Sequence, residues 1–148
     1  MREILYRAKA INRDKEYHRT EYKNGDWVYG LITRLYDERF ENLPAEMTNT
    51  NGISGIEIDY KTIGQYTGLT DKNGTKIFEG DIIQSYWHRE KYGIAKIYYD
   101  EGTYWCKLLS GCCHDDTDTL SEWYAEYGLE VISDIHDNPE FLKGAETE

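Results

Sequence analysis

Apolar and polar side chains alternate along several short stretches of this chain, and the alternation predicts β-strands. A period of two is typical of a strand with one buried face, and the same stretches are rich in β-branched and aromatic residues. The predicted strands are residues 2–9, 27–36, 56–60, 82–87 and 130–132, with residues 61–66 continuing extended. Short antiparallel strands separated by closely spaced turns favour a mainly β fold of the small, barrel-like kind.

Turn-forming residues mark where the predicted strands reverse. The segment Asp100-Glu101-Gly102-Thr103 lies between residues 92–99 and 104–109, and this arrangement predicts a hairpin. The segment Asp71-Lys72-Asn73-Gly74 predicts another tight turn, because glycine adopts a positive φ at little cost. The residues to which we assign a turn or bend role are Gly64, Gly68, Asn73, Gly74, Gly80 and Asp81.

One short helix is predicted, over residues 120–127. Its large side chains recur with the spacing i, i+3, i+4, i+7 that places them on one face, and they are Leu120, Trp123, Tyr124 and Tyr127. Thr119 or Asp118 can cap the first turn by accepting a hydrogen bond from a backbone N–H. Gly128 lies where a C-terminal glycine would end the helix.

The length of 148 residues fits one domain. Within it we expect an N-terminal sub-region over residues 1–60 and a barrel-like C-terminal sub-region over residues 61–142. Residues 143–148 are expected to form a frayed tail. Residues 37–55 contain proline and several asparagines and glycines, which predicts a surface loop at the joint between the two sub-regions.

The net charge of −11 is concentrated in the last third of the chain. Residues 100–148 hold 13 acidic and 2 basic side chains, whereas residues 1–40 hold 7 acidic and 9 basic ones. Binding to a nucleic-acid backbone depends on clustered Lys and Arg. The charge distribution therefore argues against non-specific binding to DNA or RNA, and leaves only a local site in the N-terminal third open.

The cysteines and the apolar segments bear on the compartment. Three cysteines, two of them adjacent, do not form a disulfide framework. The chain has no apolar run long enough to cross a membrane, and its first residues lack the apolar core of a secretory signal. We therefore expect a cytoplasmic protein with reduced thiols and no membrane partner.

The stretch with the most reactive side chains is made up of Cys106, Cys112, Cys113, His114, Asp115 and Asp116. Thiolates and imidazoles are zinc ligands, but the spacing lacks the close cysteine pairs of standard zinc sites. No spacing supports a nucleophilic pair of Cys112 or Cys113 with His88 or His136. The acids, with Asp118, lack the glycine and final glutamate of a calcium loop. We therefore predict no catalytic, cofactor-binding or metal-binding residues.

Aromatic residues are abundant in the C-terminal half of the chain. Alternation turns only about half of the strand residues inward, so some of these rings face outward or are covered by a partner. Exposed rings are favoured anchors of protein interfaces, although packing in the core is the alternative interpretation. The candidate interface residues are Tyr98, Tyr99, Tyr104, Trp105, Trp123 and Tyr124.

Three segments, in this order, resemble the YopX family of phage and prophage proteins. They are the N-terminal residues 1–4, the central residues 63–83 with the sequence IGQYTGLTDKNGTKIFEGDII, and residues 130–140 near the C-terminus. The central segment is the most specific. The resemblance implies a phage or prophage origin, a bacterial host cell and a mainly β fold with a barrel-like C-terminal part. It implies no activity, because the family is uncharacterised, and it transfers no catalytic or binding residues.

Three functional hypotheses follow. The first is a phage-encoded accessory protein that acts through protein contacts with an unknown partner, most simply as a homo-oligomer. The second is an acidic protein that imitates nucleic acid and binds a basic partner, because such a charge attracts cationic surfaces. The third is a thiol- or metal-dependent enzyme that uses the cysteine-rich stretch.

Overall fold

The computed structural model describes residues 3–12, 22–35, 39, 44–111 and 117–142. The prediction of a mainly β fold is confirmed, since strands account for 61% of the structure and helix for 9%. The strands are β1 Tyr6–Ala10, β2 Trp27–Arg34, β3 Ala45–Asn49, β4 Ile56–Thr70, β5 Lys76–Phe78, β6 Asp81–Trp87, β7 Glu90–Asp100, β8 Thr103–Gly111, β9 Thr117–Thr119 and β10 Gly128–Asp134, and the helix is α1 Leu120–Glu126.

The chain divides into two compact units, Met1–Tyr66 and Thr67–Glu148. The first unit ends six residues after the expected sub-region boundary, because β4 is a single strand of 15 residues that runs through that boundary. Residues 61–66 belong to the first unit, where Gly64 and Gln65 lie opposite Arg7 and Tyr6 of β1.

The first unit is an antiparallel sheet that closes on itself. Its strand order is β1-β2-β3-β4, and β1 also pairs with β4. Inward-facing apolar side chains of all four strands form its core, including Ala8, Val28, Met47 and Ile58. This ring-closing pairing lies in the N-terminal unit, whereas the sequence places the barrel-like part within residues 61–142.

Strand β3 lies within the predicted surface loop at residues 37–55, so that prediction is wrong for residues 45–49. Ala45, Met47 and Asn49 alternate inward, and β3 pairs with both β2 and β4. Asn49 replaces an apolar side chain in this pattern, and its buried Oδ1 atom accepts from the N–H groups of Asn51 and Ile53. Residues 45–49 therefore alternate with the period of a strand. The polar residue at the third inward position hides this strand in the sequence.

The second unit contains a five-stranded antiparallel sheet with the order β10-β6-β7-β8-β9. The predicted hairpin is confirmed, because Asp100 pairs with Thr103 and both residues between them, Glu101 and Gly102, have positive φ. Apolar side chains of the strands and of α1 form one core: Ile77, Ile83, Ala95, Ile97, Cys106, Leu120, Trp123 and Leu129.

The predicted helix is confirmed, with Thr119 as its N-cap. The Thr119 Oγ1 atom accepts a hydrogen bond from the Glu122 N–H at 3.2 Å. The predicted role of Gly128 is wrong, because the helix ends at an extended Tyr127 and Gly128 begins β10. Thr119 lies opposite Trp105, near the β7–β8 turn, and Gly128 lies opposite Tyr86, near the β6–β7 turn. The helix therefore leads from the end of the sheet at the β7–β8 turn to the end at the β6–β7 turn.

The outer edge of β10 is occupied by the loop at residues 71–75. The Lys72 N–H donates to the Leu129 carbonyl at 2.9 Å, and Asp71 Oδ2 accepts from the Val131 N–H at 2.9 Å. Asp71 Oδ1 accepts from the N–H groups of Asn73 and Thr75. One buried carboxylate thus shapes its own loop and attaches that loop to a strand 60 residues away, where it covers backbone groups that could otherwise pair with another chain.

Candidate functional site

The two turns of β7, at opposite ends of this strand, both carry exposed aromatic side chains. We call the rings beside the β7–β8 turn the tyrosine tip, and they are Tyr98, Tyr99, Tyr104 and Trp105. Beside the β6–β7 turn lies a cavity of about 490 Å³, which we call the ring cleft. The residues that line it are Lys72, Tyr86, Trp87, His88, Arg89, Glu126 and Gly128.

The tyrosine tip includes four of the six candidate interface residues. The Tyr99 side chain is 52% exposed, and the Tyr104 ring lies edge-on to it at 5.2 Å between centroids. The Trp105 indole is held by a hydrogen bond from its Nε1 to the Asp100 carbonyl at 3.0 Å. Tyr98 is half-buried, with the Lys96 Nζ atom 5.7 Å from the centre of its ring.

The other two candidate interface residues lie on α1, outside the tip. Tyr124 is 47% exposed, whereas Trp123 is only 4% exposed and packs in the core of the second unit. The Trp123 Nε1 atom donates to Asp118 Oδ2 at 3.2 Å. The i, i+3 spacing that predicts the helix therefore assigns Trp123 to its buried face, and only Tyr124 of this pair is on the surface.

The residues assigned to turns and bends lie in β4 and in the loops that follow it. Gly68, Gly74 and Gly80 have positive φ, while Gly64 lies in the extended backbone of β4. The Asn73 N–H donates to Asp71 Oδ1. The buried carboxylate of Asp81 accepts from the Phe78 N–H at 2.7 Å. These residues shape the backbone that brings the loop at residues 71–75 to the edge of β10, and Lys72 with it to the ring cleft.

The Trp87 ring, which lines the ring cleft, belongs to a group of neighbouring aromatic rings. The Trp87 side chain is 47% exposed, and its centroid lies 5.3 Å from His88, 5.6 Å from Tyr127 and 6.1 Å from Tyr92. Tyr92 and Tyr127 stack on each other at 4.8 Å. Tilted and stacked rings at these distances stabilise one another, so the indole is held on a prearranged support.

The positive side chains of the cleft are held in place by its rings and by its turn. The Lys72 Nζ atom lies 3.8 Å from the centre of the Tyr86 ring and 3.6 Å from Glu130 Oε2. His88 and Arg89 form the two-residue β6–β7 turn, with φ of 48° and 69°. Positive φ costs a non-glycine residue about 1–2 kcal/mol, and Asn-Gly is the usual choice for such a turn. The turn therefore carries two basic residues at positions where asparagine and glycine are more favourable.

No local pattern in the sequence predicts the ring cleft. The one signal is the segment Trp87-His88-Arg89-Glu90, which joins two predicted strands without a glycine, asparagine or proline. Lys72 and Glu126 come from a loop and from α1, and only the fold brings them to this turn. In the sequence, Lys72 is indicated only as part of a turn and Glu126 only as part of a helix.

Titration of Tyr127 tests the arrangement of the aromatic rings around Trp87. Burial first, and then a hydrogen bond with the Tyr92 side chain, raise the pKa of Tyr127 from its ordinary value near 10 to about 12. The folded state therefore holds this proton more tightly than the unfolded state. We expect the free energy of unfolding to fall as the pH rises from 10 towards 12, and to fall less in Tyr127→Phe. Equal losses in both proteins would contradict the arrangement.

The cysteine-rich stretch contributes one described thiol. Cys106 is fully buried in the core, and residues 112–116 lie outside the described part of the chain. Burial, and then the nearby Asp118 carboxylate, raise the pKa of the Cys106 thiol above its ordinary range. Because the thiolate is the reactive form, Cys106 is not suited to be a nucleophile or a metal ligand at neutral pH.

We expect iodoacetamide at pH 8 to leave Cys106 of the folded protein unmodified. The same reagent should modify it fully once the protein is unfolded in denaturant. Mass spectrometry of the peptide that contains Cys106 measures this residue separately from Cys112 and Cys113. Equal modification rates in the folded and unfolded protein would show that the thiol is accessible.

Within the described ranges, no three His, Cys, Asp or Glu side chains are grouped so that they could hold a metal ion. The same part of the chain contains no helix that is long and apolar enough to span a membrane.

Comparison with known proteins gives one family and one fold. The family model described as YopX protein matches residues 5–143. The crystal structure of protein EF1440 from Enterococcus faecalis is similar with a TM-score of 0.52 and 24% sequence identity, over 96% of this chain and 99% of that one. At this identity the likeness concerns the fold alone. No curated protein matches the sequence.

Proposed function

Because this chain belongs to the YopX family, as its sequence predicts, we propose that it is an accessory protein, encoded by a phage or prophage, that works in the bacterial cytoplasm. In this proposal it acts through protein–protein contacts and not through catalysis. The family is uncharacterised, so the proposal depends on the surfaces of this chain.

The tyrosine tip is the observation that carries the proposal. Exposed aromatic side chains supply much of the binding energy in protein interfaces. The Tyr99 ring packs edge-on against Tyr104, and the Trp105 ring is fixed by its hydrogen bond to Asp100. Rings that are already ordered lose little conformational freedom when a partner binds, and a larger share of the contact energy then appears as affinity.

A second copy of the same chain is the partner that this surface fits most simply. Lys96 and Lys107 lie directly opposite each other in the β7–β8 pair, and the nearby turn carries Asp100 and Glu101. In a two-fold arrangement each residue of one copy can meet its complement on the other. The acidic turn of one copy can then face the lysine pair of its partner, with Tyr98, which shares the lysine face of the strand, between them.

The experiment compares self-association of two alanine variants by sedimentation equilibrium. We expect Tyr99→Ala to weaken self-association at least tenfold, because it removes the most exposed ring of the tip. The matched control is Tyr60→Ala, which removes an exposed tyrosine from the first unit and should leave self-association unchanged. Equal behaviour of the two variants would remove the tyrosine tip from the proposal.

A second candidate function is supported by the charge of the chain. The 13 acidic and 2 basic side chains in residues 100–148 would attract a basic, nucleic-acid-binding protein. In that case binding should weaken steeply with added salt, and reversing the exposed Glu122 and Glu126 to lysine should weaken it further. Binding that is insensitive to salt would exclude this candidate.

A further inference from the structure

The ring cleft combines three kinds of recognition group in one cavity. Its volume of about 490 Å³ lies within the usual range for small-molecule sites. The exposed Trp87 indole offers a flat surface, and the side chains of Lys72, His88 and Arg89 offer positive charge or hydrogen-bond donors. Glu126 is the one acidic residue in the lining and can only accept hydrogen bonds when ionised.

The indole, the basic side chains and the carboxylate of the cleft each bind a different part of a ligand best. An indole binds a flat conjugated ring by stacking, and this is the main way in which proteins hold nucleobases. Arg89 suits phosphate oxygens, to which a guanidinium can donate two hydrogen bonds at once. Lys72 can donate to them too, because its ammonium has three donors and its ion pair with Glu130 uses one. The Glu126 carboxylate suits hydroxyl or amino donors, which a simple phosphate ion does not provide. A ligand that has a base, a sugar and a phosphate meets all three requirements.

The backbone around the cleft argues against an extended peptide as the ligand. Peptides that add to a sheet need a free strand edge. At the cleft, β6 already pairs with β7 on one side and with β10 on the other. The outer edge of β10 is engaged by Lys72 and Asp71, through the Leu129 carbonyl and the Val131 N–H. Recognition here must therefore come from side chains, which favours a compact ligand.

We propose that the ring cleft binds a nucleotide, with the base stacked on Trp87, the phosphate on Arg89 and Lys72, and the sugar or base donors on Glu126. This site is separate from the tyrosine tip and goes beyond the protein contacts proposed above. A phosphate contact would also give a role to the basic side chains of His88 and Arg89, which stand at a turn with positive φ.

Isothermal titration calorimetry at low salt tests the proposal with the four common nucleoside 5′-diphosphates. We expect at least one to bind with a Kd of the order of 1–100 μM. Trp87→Ala and Arg89→Ala should each weaken that binding at least tenfold, while Trp87→Phe should retain most of it. Tyr99→Ala, an equally exposed ring at the other end of β7, should leave it unchanged.

A double substitution, His88→Asn with Arg89→Gly, separates binding from folding. It installs the preferred residues for this turn, so the melting temperature should rise while nucleotide binding is lost. A variant that is more stable and no longer binds cannot be explained by misfolding. Because the tyrosine tip is untouched, self-association should persist, so a failure of this proposal is distinguishable from a failure of the proposed function.

Three outcomes would overturn the proposal. The first is no detectable binding of any of the four diphosphates at millimolar concentration. The second is binding that Trp87→Ala leaves unchanged. The third is that inorganic pyrophosphate, or an acidic peptide without an aromatic residue, binds as tightly as the best diphosphate, since the cleft would then be a charged patch without selectivity for a base.

Discussion

Asp71→Ala is expected to lower the free energy of unfolding by about 3 kcal/mol. The buried carboxylate accepts three backbone hydrogen bonds, from Asn73, Thr75 and Val131. Its removal leaves these N–H groups without their acceptor and frees the loop at residues 71–75 from β10. For a chain of this length the melting temperature should fall by about 10 °C. Urea denaturation measures the change in free energy directly.

The matched control for Asp71 is Asp100→Ala. The Asp100 side chain is exposed and accepts one backbone hydrogen bond, from Glu101. We expect its removal to cost less than about 1 kcal/mol. A loss for Asp71→Ala that is no larger than this would contradict the role of Asp71 as the link between the loop and the strand.

Gly30→Ala is expected to cost about 3 kcal/mol for a steric reason. A Cβ atom at Gly30 would lie 1.9 Å from the Thr48 carbonyl oxygen and 2.8 Å from the Asn49 Cα. Both atoms belong to the backbone of β3, so the strands themselves must separate to make room. Because β2 and β3 are part of a closed ring, that separation disturbs the pairing of the whole unit.

Gly25→Ala is the control for Gly30. Gly25 has a φ of 91°, and a Cβ there would meet no atom within 4 Å. Only the cost of positive φ applies, which is about 1–2 kcal/mol. Thermal denaturation of both variants should therefore show the larger loss for Gly30→Ala, and the reverse order would contradict the packing of β2 against β3.

Local signals were sufficient for much of the fold. The β7–β8 hairpin is encoded by two runs of β-forming residues around a turn that contains Gly102, and α1 by the spacing of Leu120 and Trp123 after a threonine cap. Such elements are specified by neighbours in the sequence. Strand β3 was missed because its third inward position is Asn49, whose side chain bonds to the backbone of the following turn.

The features that could not be predicted from the sequence are contacts between residues that are distant along the chain. Asp71 binds the N–H of Val131, and nothing in either local sequence indicates the other. The ring cleft likewise combines Lys72, Trp87 and Glu126 from three elements. The turn at His88 and Arg89 lacks the asparagine and glycine that are typical of a two-residue hairpin turn. Its positive φ angles are therefore seen only in the structure.

The surfaces proposed for self-association and for nucleotide binding lie at opposite ends of β7. The β7–β8 turn presents Tyr99, and the β6–β7 turn presents Trp87. Because α1 connects the two ends of the sheet, the tip and the cleft share one core, and each can be altered by a surface substitution that leaves that core intact. Single-residue variants can therefore test the two proposals separately.

Light scattering of the native chain at increasing concentration tests most directly whether the protein acts through protein contacts. We predict a mass that rises from the 17.4 kDa of one chain to a whole multiple of it, and that returns towards 17.4 kDa in Tyr99→Ala. A native chain that keeps the mass of a monomer at every concentration would contradict the proposal.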